Sequence, residues 1–118
     1  MKNNFTHLNL RTAYSLINST INVDKLIKLA KSRKITSLAI TDYLNVFEVI
    51  KFYQKCIENK IKPIIGCQIP LKEFSNINNS RNITILCQNK TGYHNLINIL
   101  HKIHVDKKSN HNIQCSID

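Results

Sequence analysis

An acidic side chain that directly follows a short apolar run is the first feature of the sequence that could carry chemistry. The run is Leu38–Ile40, and Thr41 and Asp42 come straight after it. A run of this length is typical of a buried strand, so we expect Asp42 just past the C-terminal end of a strand. An acid in this place can be a ligand, but it is as often a group that stabilises a turn or caps a helix. Its surroundings must decide between these roles.

The elements around Asp42 are predicted to be a strand, a helix and a second strand. Apolar residues recur at helical spacing on one side of the next segment, namely Val46, Val49, Ile50, Tyr53 and Ile57. Pro63 then ends the helix, and Gly66 is predicted to permit a tight turn in a second apolar run. Such βαβ units are right-handed and present functional groups at the C-terminal ends of their strands. We therefore expect Asp42, Tyr43 and Gln68 at the edge of any site.

The rest of the chain supplies further elements of the same two kinds. Phe5–Leu10 is predicted to be a first strand, and a helix over residues 23–33 begins after an N-cap at Asn22, with Asp24 in its first turn. The remaining predictions are a loop over 72–82, a strand over 82–87, a helix from Thr91 to His104 and a polar tail over 106–118. This order favours an α/β domain over residues 1–105 with a mostly parallel sheet. Three or four strands do not close a barrel.

The composition limits the class of protein. With 118 residues the chain holds one domain at most, and its N-terminus has no signal-peptide pattern, so we expect a cytoplasmic protein without a membrane segment. A net charge of +10 invites a nucleic-acid partner. The basic residues are scattered, however, so a Lys-rich solvated surface is favoured over a dedicated DNA groove, and we expect at most indirect contact with DNA.

The thiols and imidazoles do not form a metal-binding pattern. Cys56, Cys67, Cys87 and Cys115 are far apart in sequence, which favours structural free thiols over disulfides or a metal site. His94, His101 and His104 share one predicted helix, but no carboxylate or thiolate accompanies them. They are interpreted as helix histidines rather than zinc ligands.

Several stretches together resemble a known family. They are FTHLNLRTAYSLINS at 5–19, VDKLIKLAKSRKITSLAITDYLN at 23–45, VIKFYQKCIENKIKPIIGC at 49–67 and ITILCQNKTGYHNLINIL at 83–100. They are similar, in order and spacing, to the polymerase and histidinol phosphatase (PHP) domain at the start of bacterial replicative DNA polymerase III alpha subunits. The resemblance implies a seven-stranded βα barrel, of which this chain would be the N-terminal portion, not closed and apparently truncated.

The resemblance also implies a metal site at the strand ends, and most of its ligand positions are altered. The His-x-His motif falls on Asn9 and Arg11, and an Asp falls on Asn18. The His of Thr-Asp-His falls on Tyr43, and a Glu falls on Gln68, so that Asp42 alone is retained. Neutral amides, a protonated phenol and a permanent guanidinium cation cannot offset the charge of a metal cluster. We therefore expect no catalytic residues and no bound metal in this chain.

The arginine suggests a replacement for the metal. We expect Arg11 to form an ion pair with Asp42, which would hold the strand ends together. If that pair is buried, Arg11→Ala would destabilise the fold by a few kcal/mol, typical of a broken buried ion pair.

The resemblance implies a part in DNA replication. Full-length alpha subunits are DNA-directed DNA polymerases (nucleotidyltransferases), whose magnesium belongs to a palm region that this chain lacks. We expect the chain alone to be inactive and to act as a scaffold for the rest of the subunit and for the proofreading exonuclease. The alternatives are a stand-alone metal-dependent PHP phosphoesterase and a gene remnant.

Overall fold

The computed structural model describes residues 5–15, 19–72 and 80–105. The elements in chain order are α1 (Val23–Ser32), β1 (Ser37–Tyr43), α2 (Val49–Glu58), β2 (Lys62–Lys72), β3 (Ser80–Leu86) and α3 (Lys90–Val105). The predicted α/β class and the order of these six elements are confirmed. No helix of the described part is long and apolar enough to cross a membrane.

The sheet is mixed, with strand order β1-β2-β3 and no closure into a barrel. β1 and β2 are parallel, with Ser37 opposite Lys62 and Tyr43 opposite Gln68. β2 and β3 are antiparallel, so the predicted mostly parallel sheet is wrong for one of the two strand pairs. The reason is the connection, because the seven residues 73–79 between β2 and β3 are too few for a parallel crossover, which needs about a dozen or more. The predicted loop over 72–82 is correspondingly too long.

The segment predicted as a first strand forms no strand of the described sheet. The backbone N–H of Thr41 donates to the carbonyl of Leu10 at 2.7 Å, beside β1. The hydroxyls of Thr6 and Ser37 form a further hydrogen bond between this segment and β1. Isolated hydrogen bonds and the packing of Leu10 against the core thus hold this segment beside the sheet, in place of a backbone ladder.

The helix termini follow local chemistry. Asn22 caps α1, because its Oδ1 accepts the Asp24 N–H at 2.8 Å, as predicted. Asp24 also forms a half-exposed ion pair with Lys51 of α2, at 3.0 Å. The hydrogen bond from Lys51 lowers the pKa of Asp24. An exposed pair of this kind adds little stability, and its main effect is to link the two helices.

Two apolar clusters form the core. The first joins α1, α2 and the sheet, and its buried members are Val23, Ile27, Ala30, Leu38, Ile40, Val49, Phe52, Cys56 and Ile61. The second joins α3 to β2, and its buried members are Leu44, Cys67, Ile69, Leu96, Leu100 and Ile103. In the sheet, the carboxyl end of β1 lies beside Gln68, four residues before the end of β2.

The inward face of α2 differs from the predicted one. Val49, Phe52 and Cys56 are buried, whereas Ile50 and Tyr53 of the predicted apolar stripe are exposed. The predicted stripe is therefore right at Val46 and Val49 and wrong at Ile50, Tyr53 and Ile57, because both sides of this helix carry apolar residues.

Gly66 has a different role from the predicted turn. It lies inside β2, and no glycine has a positive φ in the described part of the chain. A Cβ at this position would lie 2.3 Å from the backbone oxygen of Ile85 in β3. Gly66 is therefore required for the close approach of the neighbouring strand.

Candidate functional site

The acid predicted to mark the site lies at the end of the parallel strand pair. Asp42 is the penultimate residue of β1, rather than the first residue after it, and only 2% of it is exposed. Its Oδ1 accepts hydrogen bonds from the Thr12 backbone N–H at 2.6 Å and from the Ser15 hydroxyl at 2.7 Å. Its Oδ2 accepts the Thr12 hydroxyl at 2.6 Å. Three uncharged donors therefore replace the water that this carboxylate loses on burial.

Thr12 and Ser15 are site residues that the sequence patterns do not single out. Both are buried, and Ser15 also accepts the backbone N–H of Tyr43 at 3.0 Å. Small hydroxyl residues in a turn are common, so nothing in their spacing marked them as partners of Asp42. Only the fold brings them to the end of β1.

The predicted ion pair between Arg11 and Asp42 is wrong. No ion pair involves Arg11 within the described ranges, and its Nη2 instead donates to Oε1 of Gln68. Asp42 does not need the guanidinium, because the hydroxyls and the backbone N–H already satisfy it. The destabilisation of a few kcal/mol expected for Arg11→Ala was attributed to breaking this ion pair. Since the pair does not form, that reason for the destabilisation does not hold.

Gln68 lies at the centre of a second group of predicted positions. It is buried in β2, with 5% exposed, and its Nε2 donates to Asn9 Oδ1 at 2.7 Å and to Thr84 Oγ1 at 3.3 Å. Asn9 Oδ1 also accepts the Thr41 hydroxyl at 3.2 Å. Asn9, Arg11 and Gln68, which are far apart in sequence, thus form one hydrogen-bonded group.

The side chain of Tyr43 does not join these contacts. Tyr43 pairs with Gln68 in the sheet register, and its side chain packs against the apolar cluster beneath α3. Asn18 lies outside the described residues.

A constrained turn follows β1. The N–H of Leu44 donates to the Gln68 carbonyl at 2.9 Å, and Leu44 has a φ of 57°, which is unusual for a leucine. Asn45 Nδ2 donates to the carbonyls of Tyr14 and Tyr43, at 3.1 and 3.0 Å. These bonds offset the strain at Leu44 and fix the turn beside the site.

The described cysteines are free thiols, in agreement with the structural role predicted for them. Burial raises the pKa of Cys56 and of Cys67 to about 11. Cys67 lies beside Asp42, and its Sγ donates to the Asp42 carbonyl at 3.1 Å. A neutral thiol of this kind is neither a nucleophile nor a metal ligand at pH 7.

The donors at the strand ends do not match a metal cluster. Among the residues that the structure describes, no group of three or more His, Cys, Asp or Glu is placed to hold a metal ion. The groups around Asp42 are hydroxyls, amides and a guanidinium, which do not offset the charge of several cations. His94, His101 and His104 are exposed on α3, where Nδ1 of His104 lies 2.7 Å from the Leu100 carbonyl.

Comparison with known proteins gives the same assignment for most of the chain. The family model for the PHP domain matches residues 7–117. DNA polymerase III subunit alpha of Staphylococcus aureus (strain Mu50) is 35% identical over 104 residues, which cover 88% of this chain. The subunits of Buchnera aphidicola and Chlamydia trachomatis are 39% identical over 95 residues and 32% identical over 97, covering 79% and 75% of this chain.

These relatives are much longer proteins. The matched residues span 10% of the Staphylococcus aureus subunit and 8% of each of the other two. The similarity therefore concerns one domain of them. Since the family model covers nearly all of its residues, this chain belongs to the PHP domain family.

Proposed function

We propose that this chain is the N-terminal PHP-domain part of a replicative DNA polymerase III alpha subunit and that it acts as a scaffold whose site holds no metal. Membership of the family and the similarity to alpha subunits support the role in DNA replication. The observation that carries the metal-free assignment is the environment of Asp42. Its carboxylate accepts three hydrogen bonds from Thr12 and Ser15.

A metal ion at Asp42 would have to displace some of those donors. Thr12 and Ser15 are buried, so their freed N–H and O–H groups would lose a partner that water does not easily replace. The ion would be coordinated by one carboxylate and by neutral oxygens, which is a weak ligand set for a transition metal. The fixed charge of Arg11, which contacts Gln68 in the same region, opposes a cation further.

The hydrogen bonds of this site support the scaffold role. Its hydrogen bonds hold the segment around Arg11, β1 and β2 together and leave no acid free for catalysis. We propose that polymerisation belongs to magnesium-binding carboxylates elsewhere in an alpha subunit. The partners proposed for this domain are the rest of that subunit and the proofreading exonuclease, in the cytoplasm, with DNA contacted only indirectly.

Metal analysis tests the proposal directly. The purified chain is incubated separately with Zn²⁺, Mn²⁺ and Fe²⁺, desalted and measured by mass spectrometry, and the expected metal content is far below one ion per chain. A variant carrying Asn9→His, Arg11→His, Tyr43→His and Gln68→Glu is the matched control, because it restores side chains that bind metals at these positions. Near-stoichiometric metal that chelators remove slowly from the unsubstituted chain would contradict the proposal.

Activity assays separate the scaffold from its rival, a stand-alone phosphoesterase. We expect background levels both in primer extension and in hydrolysis of bis(p-nitrophenyl) phosphate with added Mn²⁺. Metal-dependent hydrolysis that Asp42→Asn abolishes would favour the phosphoesterase. Template-dependent extension by the isolated chain would refute the inactive scaffold.

A further inference from the structure

An apolar pocket lies beside the end of α3, from which the C-terminal segment, residues 106–118, continues. These residues lie outside the described part of the chain. We propose that Ile113 and Ile117 of the C-terminal segment dock into this pocket, so that the chain covers one of its own apolar surfaces. This docking does not depend on the proposed scaffold function.

The pocket is formed by the turn after β1 and the C-terminal half of α3. The turn contributes Leu44, Val46 and Phe47, and the helix contributes Ile97 and Leu100. The volume of the pocket is about 280 Å³, many times the share of about 30 Å³ that one water molecule has in the liquid. The pocket therefore has room for apolar side chains of another segment.

Phe47 is the most exposed apolar side chain of the pocket. It is 74% exposed, and its ring packs edge-on against Tyr14, with 6.2 Å between the ring centroids. Tyr14 is itself half exposed. A large aromatic ring beside an apolar pocket is typical of a surface that binds a further apolar segment.

The residue pattern of the C-terminal segment fits such a surface. Ile113, Cys115 and Ile117 alternate with Gln114 and Ser116. In an extended chain, residues two positions apart lie on the same side. An extended segment would therefore have one apolar side for the pocket and one polar side for the solvent.

The connection is long enough for the segment to return to the pocket. The pocket extends along α3 from Ile97 to His104, and the helix ends at Val105. The seven residues 106–112 between Val105 and Ile113 span up to about 25 Å, whereas the return from Val105 to Ile97 is about 12 Å.

The attachment to α3 favours this segment over a separate molecule. A tethered segment has a roughly millimolar effective concentration, so weak apolar contacts suffice. A second copy of the chain would bring a further net charge of +10, and the two copies would repel each other. In addition, Asp118 follows Ile117 directly and is an acid that can approach His101 and His104 at the edge of the pocket.

The thiol of Cys115 measures the docking in the whole chain. The reduced protein is labelled with a pulse of N-ethylmaleimide, and the labelling of Cys115 is quantified by peptide mass spectrometry. We expect Cys115 to react at least about fivefold more slowly than in Ile113→Gln/Ile117→Gln, as for a docked state populated about four-fifths of the time. The matched control Gln114→Ala/Ser116→Ala changes the polar side and should leave the labelling rate unchanged.

Substitutions on the pocket side show where the segment binds. Phe47→Gln should accelerate the labelling of Cys115, whereas Ile57→Gln, which removes another exposed apolar side chain from α2, should not. Circular dichroism checks that each variant is folded. If Phe47→Gln unfolds, photoreactive p-benzoylphenylalanine replaces Phe47, and its crosslink should fall within residues 113–117.

The outcomes decide between this docking and other occupants of the pocket. Equal labelling of the unsubstituted chain and of Ile113→Gln/Ile117→Gln overturns the docking. Protection that persists in Phe47→Gln, or a crosslink outside residues 113–117, places the segment elsewhere and overturns it too. Protection that is lost on dilution of the protein assigns the pocket to a second copy and likewise overturns it. None of these results involves metal binding, so the metal-free scaffold is tested separately.

Discussion

The end of the parallel strand pair and the outer face of α2 differ in whether their side chains have partners among the described residues. At the strand end, a buried carboxylate finds three donors within 2.7 Å. On α2, Ile50, Tyr53 and Ile57 repeat at helical spacing but are about half exposed or more, and Ile50 is 69% exposed. Polar groups are paired in the first region, while apolar groups are left uncovered by the described residues in the second.

The difference follows from the unequal cost of the two situations. An unpaired buried polar group loses its hydrogen bonds with water and costs about 1–3 kcal/mol. An exposed apolar side chain merely forgoes the gain from burial, and such side chains are common on protein surfaces. We therefore expect the strand end to be sensitive to substitution and the outer face of α2 to tolerate it.

The largest effect is expected at the strand end. Asp42→Ala removes the acceptor of three buried donors and should lower the free energy of unfolding by about 3 kcal/mol or more. Urea unfolding followed by circular dichroism measures this loss. Glu58→Ala, which breaks an exposed ion pair with Lys55, is the control and should change stability by less than about 1 kcal/mol. Equal losses of unfolding free energy in the two variants would show that the strand end is not especially sensitive to substitution.

Two neighbouring residues of α2 compare its inner and outer faces. Val49→Ala leaves a cavity in the first apolar cluster and should cost roughly 2 kcal/mol. Ile50→Ala removes more atoms but from an exposed position, so its effect should stay within about 0.5 kcal/mol. Thermal and urea unfolding of both variants measure the difference. A larger loss from Ile50→Ala would show that the outer face is covered in solution.

The buried thiols should make the stability of the fold depend on pH at alkaline pH. Burial raises the pKa of Cys56, on the inner face of α2, and of Cys67, beside Asp42, from 9.0 to about 11. Between these pH values an unfolded thiol ionises while the folded one keeps its proton. The thiols therefore contribute stability below pH 9 that is lost as the pH rises toward 11.

Unfolding measured at several pH values in this window tests the sign. We expect the free energy of unfolding to fall less steeply with pH in Cys67→Ala than in the unsubstituted chain, since the substitution removes one thiol whose pKa is raised by burial. The same pH dependence in the two proteins would exclude a raised pKa for Cys67.

Much of the fold was accessible to local sequence patterns. The N-cap at Asn22 and the strand ending near Asp42 follow from short-range chemistry, and both are confirmed. The first strand over Phe5–Leu10 and the apolar stripe through Ile50 failed because both depend on what packs against them. Alternation and helical spacing describe a segment, but they do not identify its neighbour.

Three of the predicted positions come together in the fold, but their hydrogen bonds were not predictable. The resemblance placed Asn9, Arg11 and Gln68 together, and the structure joins them through one buried amide. The ion pair expected between Arg11 and Asp42 was inferred from charge alone. It failed because the neutral donors Thr12 and Ser15 satisfy the acid first.

The sequence by itself determined the family and the alternation of helices and strands. These properties reside in residue types and spacings within short segments. Only the tertiary structure decided the antiparallel third strand, the inward face of α2 and the partners of Asp42. A hydrogen bond between residues 30 positions apart depends on the path of the chain between them, and no local pattern specifies that path.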